Sequence, residues 1–398
     1  MKKVAIVSCY FQPNYGSMLQ AYATQMALDK LGYDNETVDI SGFSREIKKA
    51  KIVYFLKASL TSKIIFSKIG RAKDSLTRKL FRNTYTDNVE LRNKAFSDFK
   101  NSKFHLSRKF NSINELGRCC ESLYSTVLVG SDQLWLPGNI AADYYTLSFV
   151  PEMVNSIAYA TSFGQESLPR DISKKAALFL KKIRHISVRE NSGQKLVRNL
   201  TSRNVPVVCD PTLLFTGEEW LKIQEIQPII NGKYIFVYFL GANTKHRDFV
   251  EKLKEITGYQ VVILPHIDEF VKADEKCSDV QLYDINPSQF LNLIRNAEYV
   301  CTDSFHCTVF SIQYKRKFFT FKRFQSNNKQ STNSRLDTLF DLTGIKGRFM
   351  TGNEDVLEMI NCEIDYDDVL LKLQGIREYS YHYLESALLD NDSTDLKG

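Results

Sequence analysis

The stretch Cys301-Thr302-Asp303-Ser304-Phe305-His306-Cys307-Thr308 carries the strongest chemical signal in this 398-residue chain. The apolar approach Ala297–Val300 reads as a strand running out at Asp303, and a small-residue helix starts near His306 and runs through Ile312. A histidine at a strand-to-helix turn stands beside backbone N–H groups whose partial positive charge suits an anion. Imidazole also titrates near neutral pH, so His306, of six histidines, has the best claim to proton transfer. A histidine satisfied by a neighbouring carbonyl is the competing reading.

Four other places carry residues of the right type. In Gly130-Ser131-Asp132-Gln133, Asp132 follows a buried strand and could take a proton from a sugar hydroxyl, or cap a helix. Asn14-Tyr15-Gly16-Ser17 is a loop before a helix that can turn N–H groups toward an oxyanion; it matches neither GxGxxG nor the P-loop, so there is no nucleotide signature. Arg189 in Ile186-Ser187-Val188-Arg189-Glu190 offers a planar fork for carboxylate or phosphate, or a salt bridge to Glu190. Lys322 and Arg323 follow the strand Lys317–Phe321, and Arg335 opens a helix that runs to Leu342. Converging on His306, these cations would suit a phosphorylated substrate, although each is also compatible with the surface.

The elements that must position them follow a strand–turn–helix pattern. Val4–Ser8, a turn at Gln12–Gly16, a helix Met18–Leu31 ended by Gly32 and a strand Glu36–Ile40 open a doubly wound parallel sheet. Residues 41–120 interrupt it with helical, basic material. Strands resume at Ser125–Val129, Asn155–Ala160, His185–Val188 and Val205–Cys209. A second unit has strands at Tyr234–Leu240, Gln260–Leu264, Tyr299–Thr302 and Lys317–Phe321, with helices Lys245–Thr257 and Pro287–Asn296. The expected class is α/β: two Rossmann-like domains facing a central cleft, with a basic helical insertion in the first. The expected boundaries are 1–228 (acceptor side, insertion about 41–120), 229–364 (donor side) and 365–398, a C-terminal helix packing back plus a short tail. Ligands in such folds collect beyond the C-terminal strand ends, where the polar turns lie.

An apolar content of 43% with 25% charged residues is that of a soluble globular protein, and no run approaches the ~20 apolar residues of a spanning helix. The eight cysteines show no CxxC pair and no zinc-like spacing, so buried thiols in a reducing compartment, the cytoplasm, are expected. The net charge of +7 is local: twelve Lys/Arg against two acidic residues from Arg45 to Arg82 give that segment +10 and leave −3 elsewhere. Its cations alternate with apolar residues, as in helices that lie on anionic membranes. Nucleic-acid binding lacks an accompanying recognition motif. A solvated helical cover on the first domain would look the same.

The ordered set NYGSMLQAYA, LVGSDQLW, AYATSFG, ISVRE, DPTLL, TDSFHCTVFSI and NSRLDTLFDLTGI, over residues 3–345, resembles the polysaccharide pyruvyl transferase family. The resemblance implies a GT-B-like architecture. It also implies transfer of a pyruvyl group from phosphoenolpyruvate to a sugar hydroxyl pair of a surface-polysaccharide precursor, for capsule or exopolysaccharide, as a cyclic ketal with release of phosphate. It places the catalytic histidine at His306 and a donor-binding cation at Arg189, and Arg335 and the Asn14–Ser17 turn also fall on recurring motif positions. Many relatives carry Arg-Leu-His-Gly where this chain has Ser304-Phe305-His306-Cys307, which leaves one donor contact for Lys322, Arg323 or Arg335 to supply. The expected site is thus His306 and Asp132 in catalysis, with Arg189, Arg335, Lys322, Arg323 and Ser304 on the donor. Asn14, Tyr15, Gly16, Ser17 and Ser131 form an anion or acceptor loop. No metal and no cofactor beyond phosphoenolpyruvate as co-substrate are expected. The expected acceptor is a lipid-linked or polymeric glycan, reached at the inner face of the membrane through residues 45–82. A GT-B glycosyltransferase using a nucleotide sugar and a non-catalytic membrane-associated glycan-assembly protein are the alternatives.

Overall fold

The computed structural model describes residues 2–59, 84–265, 271–323 and 334–389. Within them, short apolar runs form strands covered on both faces, which is why they lack polar alternation. The first sheet contains β1 (Lys3–Val7), β2 (Asn35–Thr37), β3 (Tyr124–Gly130), β4 (Asn155–Thr161) and β5 (His185–Val188), in the order β2-β1-β3-β4-β5. The second contains β6 (Tyr234–Tyr238), β7 (Gln260–Ile263), β8 (Val280–Gln281), β9 (Tyr299–Thr302), β10 (Lys317–Phe321) and β11 (Phe349–Met350), in the order β11-β10-β9-β6-β7-β8. Every pairing in both sheets is parallel. The class is α/β with two Rossmann-like halves.

Strand order decides where a ligand can enter. In the first sheet the order reverses between β1 and β3; in the second it reverses between β6 and β9. At such switch points the connections leave in opposite directions and open a crevice beyond the strand ends. The four connections concerned carry Asn14–Ser17, Ser131–Asp132, Leu240–Gly241 and Asp303–His306. The residues with the strongest chemical signal therefore sit at the two crevices.

Val205–Cys209 is not a strand. Only Val207 bridges β5, at Val188, while Val188 N–H and Val208 N–H make the flanking bonds. Pro206 has no N–H to donate, so a ladder cannot extend through it. Two short strands, β8 and β11, lack a sequence signal because two residues show no periodicity.

The insertion holds helices Ser44–Ser59, Thr84–Lys103 and Ile113–Leu123; residues 60–83, which contain much of the basic stretch 45–82, lie outside the described residues. Helix Thr84–Lys103 reaches the second half. The buried Arg92 donates from Nε to Tyr283 O (2.5 Å) and from Nη2 to Leu282 O (2.8 Å). The C-terminal helix Tyr366–Leu389 follows the second sheet yet lies on the first half, where Asn155 Nδ2 donates to Ala387 O (2.9 Å) and Cys209 N–H to Ser380 Oγ (3.0 Å). All eight cysteines are free.

Candidate functional site

Between the two switch points lies a cleft of about 350 Å³, lined among others by Asn14, Ser17, Asp132, Ser304, Phe305, His306, Arg323 and Arg335. Two helices begin there. Asn14 caps Tyr15–Lys30, accepting Ser17 N–H at 3.1 Å, and Ser304 caps Phe305–Gln313, accepting Cys307 N–H at 3.5 Å. Both helix N-termini add partial positive charge to the cleft.

The deepest group is one the sequence reading did not single out. Asp210 is fully buried and its carboxylate gathers four neighbours. Ser131 Oγ donates to Oδ2 (2.9 Å), Thr212 donates its N–H and its hydroxyl to Oδ1 (3.0 and 2.7 Å), and Arg189 Nη1 donates to Oδ2 (2.5 Å). His306 Nε2 stands 3.4 Å from the same Oδ2. Burial opposes ionisation, but His306 and Arg189 outweigh it and hold the carboxyl well below the usual range. Asp210 therefore fixes Arg189 by a hydrogen bond and faces the His306 imidazole, whose Nε2 makes no hydrogen bond. A carboxylate before Pro-Thr at a strand end is the local signal it leaves.

Asp132, two residues past β3, adopts a left-handed backbone conformation, φ 63°. It accepts from Ser17 Oγ at 2.5 Å and lies 3.5 Å from Arg189 Nη2 and 3.9 Å from Arg335 Nη1. Burial raises its pKa, but Arg189, His306, Arg335 and Ser17 together lower it further. It is thus an ionised acceptor and caps no helix.

Phe305 lies against both guanidiniums, with Arg189 Cζ 4.7 Å and Arg335 Cζ 5.6 Å from its ring centroid. Such stacking favours arginine on an aromatic face. Burial and the charge of Arg189 lower Arg335 to about 10, which leaves it charged at neutral pH. Arg189 Nε and Nη2, Arg323 Nε and Arg335 Nε are buried and have no hydrogen-bond partner. Arg323 is held by Asp303, through Nη2 to the backbone O (2.7 Å) and Nε near Oδ2 (3.4 Å). Asp303 itself accepts Leu240 N–H (2.7 Å) and Gly241 N–H (2.9 Å), tying β9 to β6 across the switch point. Guanidinium groups that line the cleft with N–H groups free of hydrogen bonds, at Arg323 and Arg335, and two helix N-termini form an arrangement that can hold a small anion.

Several expected residues fall elsewhere. Lys322 is exposed, 5.0 Å from the Phe349 ring, whereas Arg323, one residue further past the end of β10, is half-buried and lines the cleft. Tyr15 does not line the cleft. It is buried in the seam between the halves, stacked on Phe290 at 4.4 Å with its hydroxyl donating to Ile285 O (2.8 Å). Ser131 lies behind the cleft and acts on Asp210. Cys9 lines the cleft, but burial pushes its thiol to about 12 and keeps it protonated. Among the described residues, no group of three or more His, Cys, Asp or Glu is placed to hold a metal ion.

Gly16 is buried against the His306 ring, and its lack of a side chain is essential. A Cβ there would lie 2.0 Å from His306 Nδ1. Gly16→Ala must displace the imidazole, and a misplacement of about 1 Å costs roughly 100-fold in rate. The expected result is a large fall in kcat with an almost unchanged circular dichroism spectrum. Wild-type kcat in Gly16→Ala would refute the close packing of His306.

The polysaccharide pyruvyl transferase family model matches residues 14–323. No curated protein matches significantly. Among solved structures, one from Listeria monocytogenes assigned as a UDP-N-acetylglucosamine 2-epimerase superposes with a TM-score of 0.59 at 9% identity, covering 99% of this chain and 98% of that one. MurG from Acinetobacter baumannii gives 0.44 at 10% identity, with 97% and 99% covered. At 9% identity the likeness to the Listeria structure concerns architecture, two Rossmann-like domains of GT-B type facing a cleft. The matched span contains the helix starts, the carboxylates and all but one of the cations around His306, and the chain belongs to the polysaccharide pyruvyl transferase family.

Proposed function

We propose that the protein transfers a pyruvyl group from phosphoenolpyruvate to two hydroxyls of a sugar in a surface-polysaccharide precursor. The observation that carries this reading is the pair Arg323 and Arg335, which line the cleft beside His306 with Nε groups that lack a hydrogen bond, while Arg189 is buried behind them against Asp210 and Asp132. Phosphoenolpyruvate bears a carboxylate and a phosphate on three carbons, and forked cations at fixed angles suit both ends. In the proposed reaction C3 takes a proton, C2 becomes oxocarbenium-like, and a sugar hydroxyl adds to C2 with loss of its proton. The C2–O bond to phosphate then breaks, the electron pair leaving with phosphate, and the second hydroxyl adds to C2 and loses its proton. Of the two hydroxyl protons, one balances the proton gained at C3 and the other leaves on phosphate.

His306 is the group that carries a proton to C3 or to the departing phosphate, and Asp132 accepts one from a hydroxyl. Asp132 is suited to this because it is ionised and already accepts Ser17 Oγ–H at 2.5 Å. Thermal stability with phosphoenolpyruvate tests the donor. A ligand at 100 times its Kd stabilises by about 2.7 kcal/mol. The shift is expected in wild type and lost in Arg335→Gln, whose unliganded midpoint stays near wild type because Asp132 Oδ1 is 3.9 Å away. A shift with nucleotide sugars alone would replace pyruvyl transfer by glycosyl transfer.

A membrane-bound acceptor is part of the reading. Among the described residues no helix is long and apolar enough to cross a membrane. Helix Ser44–Ser59 does expose Ile52, Val53 and Leu56 beside Lys48, Lys49 and Lys57. Such a surface suits an anionic leaflet, at about 1 kcal/mol per lysine. Lys48→Gln with Lys49→Gln is expected to weaken sedimentation with phosphatidylglycerol vesicles at least tenfold, and equal sedimentation of both proteins would remove the membrane from the proposal.

A further inference from the structure

Helix Ser44–Ser59 carries five cations, and four of them, Arg45, Lys48, Lys49 and Lys57, are exposed. Lys51 is the exception. Its inward neighbours Ile47, Ala50, Tyr54 and Phe55 recur at helical spacing and are buried or half-buried. Lys51 shares that face, with Nζ 6.0 Å from the Tyr145 ring, and lines the cleft together with Phe55. Among the described residues no carboxylate lies within ion-pair distance of it. A half-buried ammonium without a counter-ion is costly unless an anion arrives; burial already lowers its affinity for a proton.

The surrounding surface has a distinct chemistry. Phe55 packs on Gly138, where a Cβ would come within 2.9 Å of its Cζ. Next to it, Gln133 and Asn139 line the cleft, joined by Asn139 Nδ2 donating to Gln133 O at 3.1 Å. Gln133 Nε2 is buried and has no hydrogen-bond partner. An aromatic face, two side-chain amides and one ammonium make a surface for a sugar ring with an anion attached. Gln133 directly follows Asp132, so this surface adjoins the carboxylate that would take the hydroxyl proton.

We propose that Lys51, Phe55, Gln133 and Asn139 form an acceptor subsite for a glycosyl phosphate, with the ring on Phe55, hydroxyls on the two amides and the phosphate on Lys51. A lysine meets a phosphate as a point charge, without demanding a fixed approach angle. Ile52, Val53 and Leu56 face outward on the same helix, so a lipid-held sugar would bring its linking phosphate past Lys51. The proposal rests on the pyruvyl-transfer reading and names its acceptor class.

The test uses the full chain and calorimetric titration of glucose 1-phosphate and N-acetylglucosamine 1-phosphate against their methyl glycosides, with and without saturating phosphoenolpyruvate. At least one glycosyl phosphate is expected to bind tenfold or more tightly than its methyl glycoside. Lys51→Met should erase that preference, Lys51→Arg should keep most of it, and the Kd for phosphoenolpyruvate should stay within twofold in both. Equal binding of phosphate and glycoside, no binding of either phosphate, a preference that survives Lys51→Met, or lost phosphoenolpyruvate affinity would each overturn the subsite. Failure of wild type to bind phosphoenolpyruvate would strike the pyruvyl reading instead, since the sugar contrast is also measured without it.

Discussion

His306→Ala is expected to lower kcat for pyruvyl transfer by about 10²–10⁴-fold, the range that a positioned general acid or base supplies. The KM for phosphoenolpyruvate should change little, because Arg323 keeps its Asp303 contacts and Arg335 keeps its place on Phe305. The fold should persist. The imidazole is packed against Gly16 and near Asp210 but completes no backbone ladder, and Asp210 retains Arg189, Ser131 and Thr212. The measurement is steady-state kinetics on His306→Ala alongside its thermal midpoint. Turnover within a few-fold of wild type in a folded variant would remove His306 from the chemistry. A parallel rise in KM with unchanged kcat would instead make it a ground-state binding residue.

The second large effect concerns Asp210. Asp210→Asn keeps the shape but removes the buried negative charge beneath Arg189, whose Nη1 lies 2.5 Å from it. Breaking one side of a buried pair costs about 3–5 kcal/mol, since the remaining charge is left without its partner. Asp132, 3.5 Å from Arg189 Nη2, offsets part of that cost. Activity should fall as well, because His306 Nε2 loses the carboxylate 3.4 Å away.

The pH dependence provides an independent check. Asp210 has a folded-state pKa held below its unfolded value, which is about 3.9. Its contribution is therefore fully present above that unfolded value and disappears as pH falls through the folded one. Denaturant midpoints of wild type and Asp210→Asn should differ most above about pH 4 and converge on acidification below it. A gap that stays constant down to strongly acid pH would show that packing, and not the ionised pair, sets the difference.

Much of the architecture is local in origin. Strands such as Tyr299–Thr302 and His185–Val188 coincide with apolar runs bounded by polar turns, because burial on both faces demands uninterrupted apolar residues. Val205–Cys209 is the exception, since Pro206 removes a donor that only a ladder would need. The helices expected from about Met18 and His306 begin slightly earlier, at Tyr15 and Phe305, because Asn14 and Ser304 each satisfy an orphan N–H three residues on. His306 and Arg189 stand out because their residue types at strand ends carry chemistry wherever the chain goes.

What the tertiary structure alone decided is direction and pairing. Neighbouring Lys322 and Arg323 look equivalent as letters, yet the turn of the chain past β10, held by Asp303 on Arg323, admits Arg323 to the cleft and leaves Lys322 outside. Tyr15 sits in a polar turn, but the second half presents Phe290 and Ile285 O to it and makes it a seam residue. Lys51 is one cation among many in a basic stretch, until helix packing turns its face inward and leaves the other four outside. Asp210 becomes the hub of the site only when strand order brings residues 131, 189, 212 and 306 to one point. The sequence by itself determines which residues can ionise, cap or extend, because those properties belong to a side chain and its near neighbours. Which of them meet is settled by the two switch points, because they join segments that the chain keeps as much as 292 positions apart, as at Ser304-Phe305-His306 and Asn14.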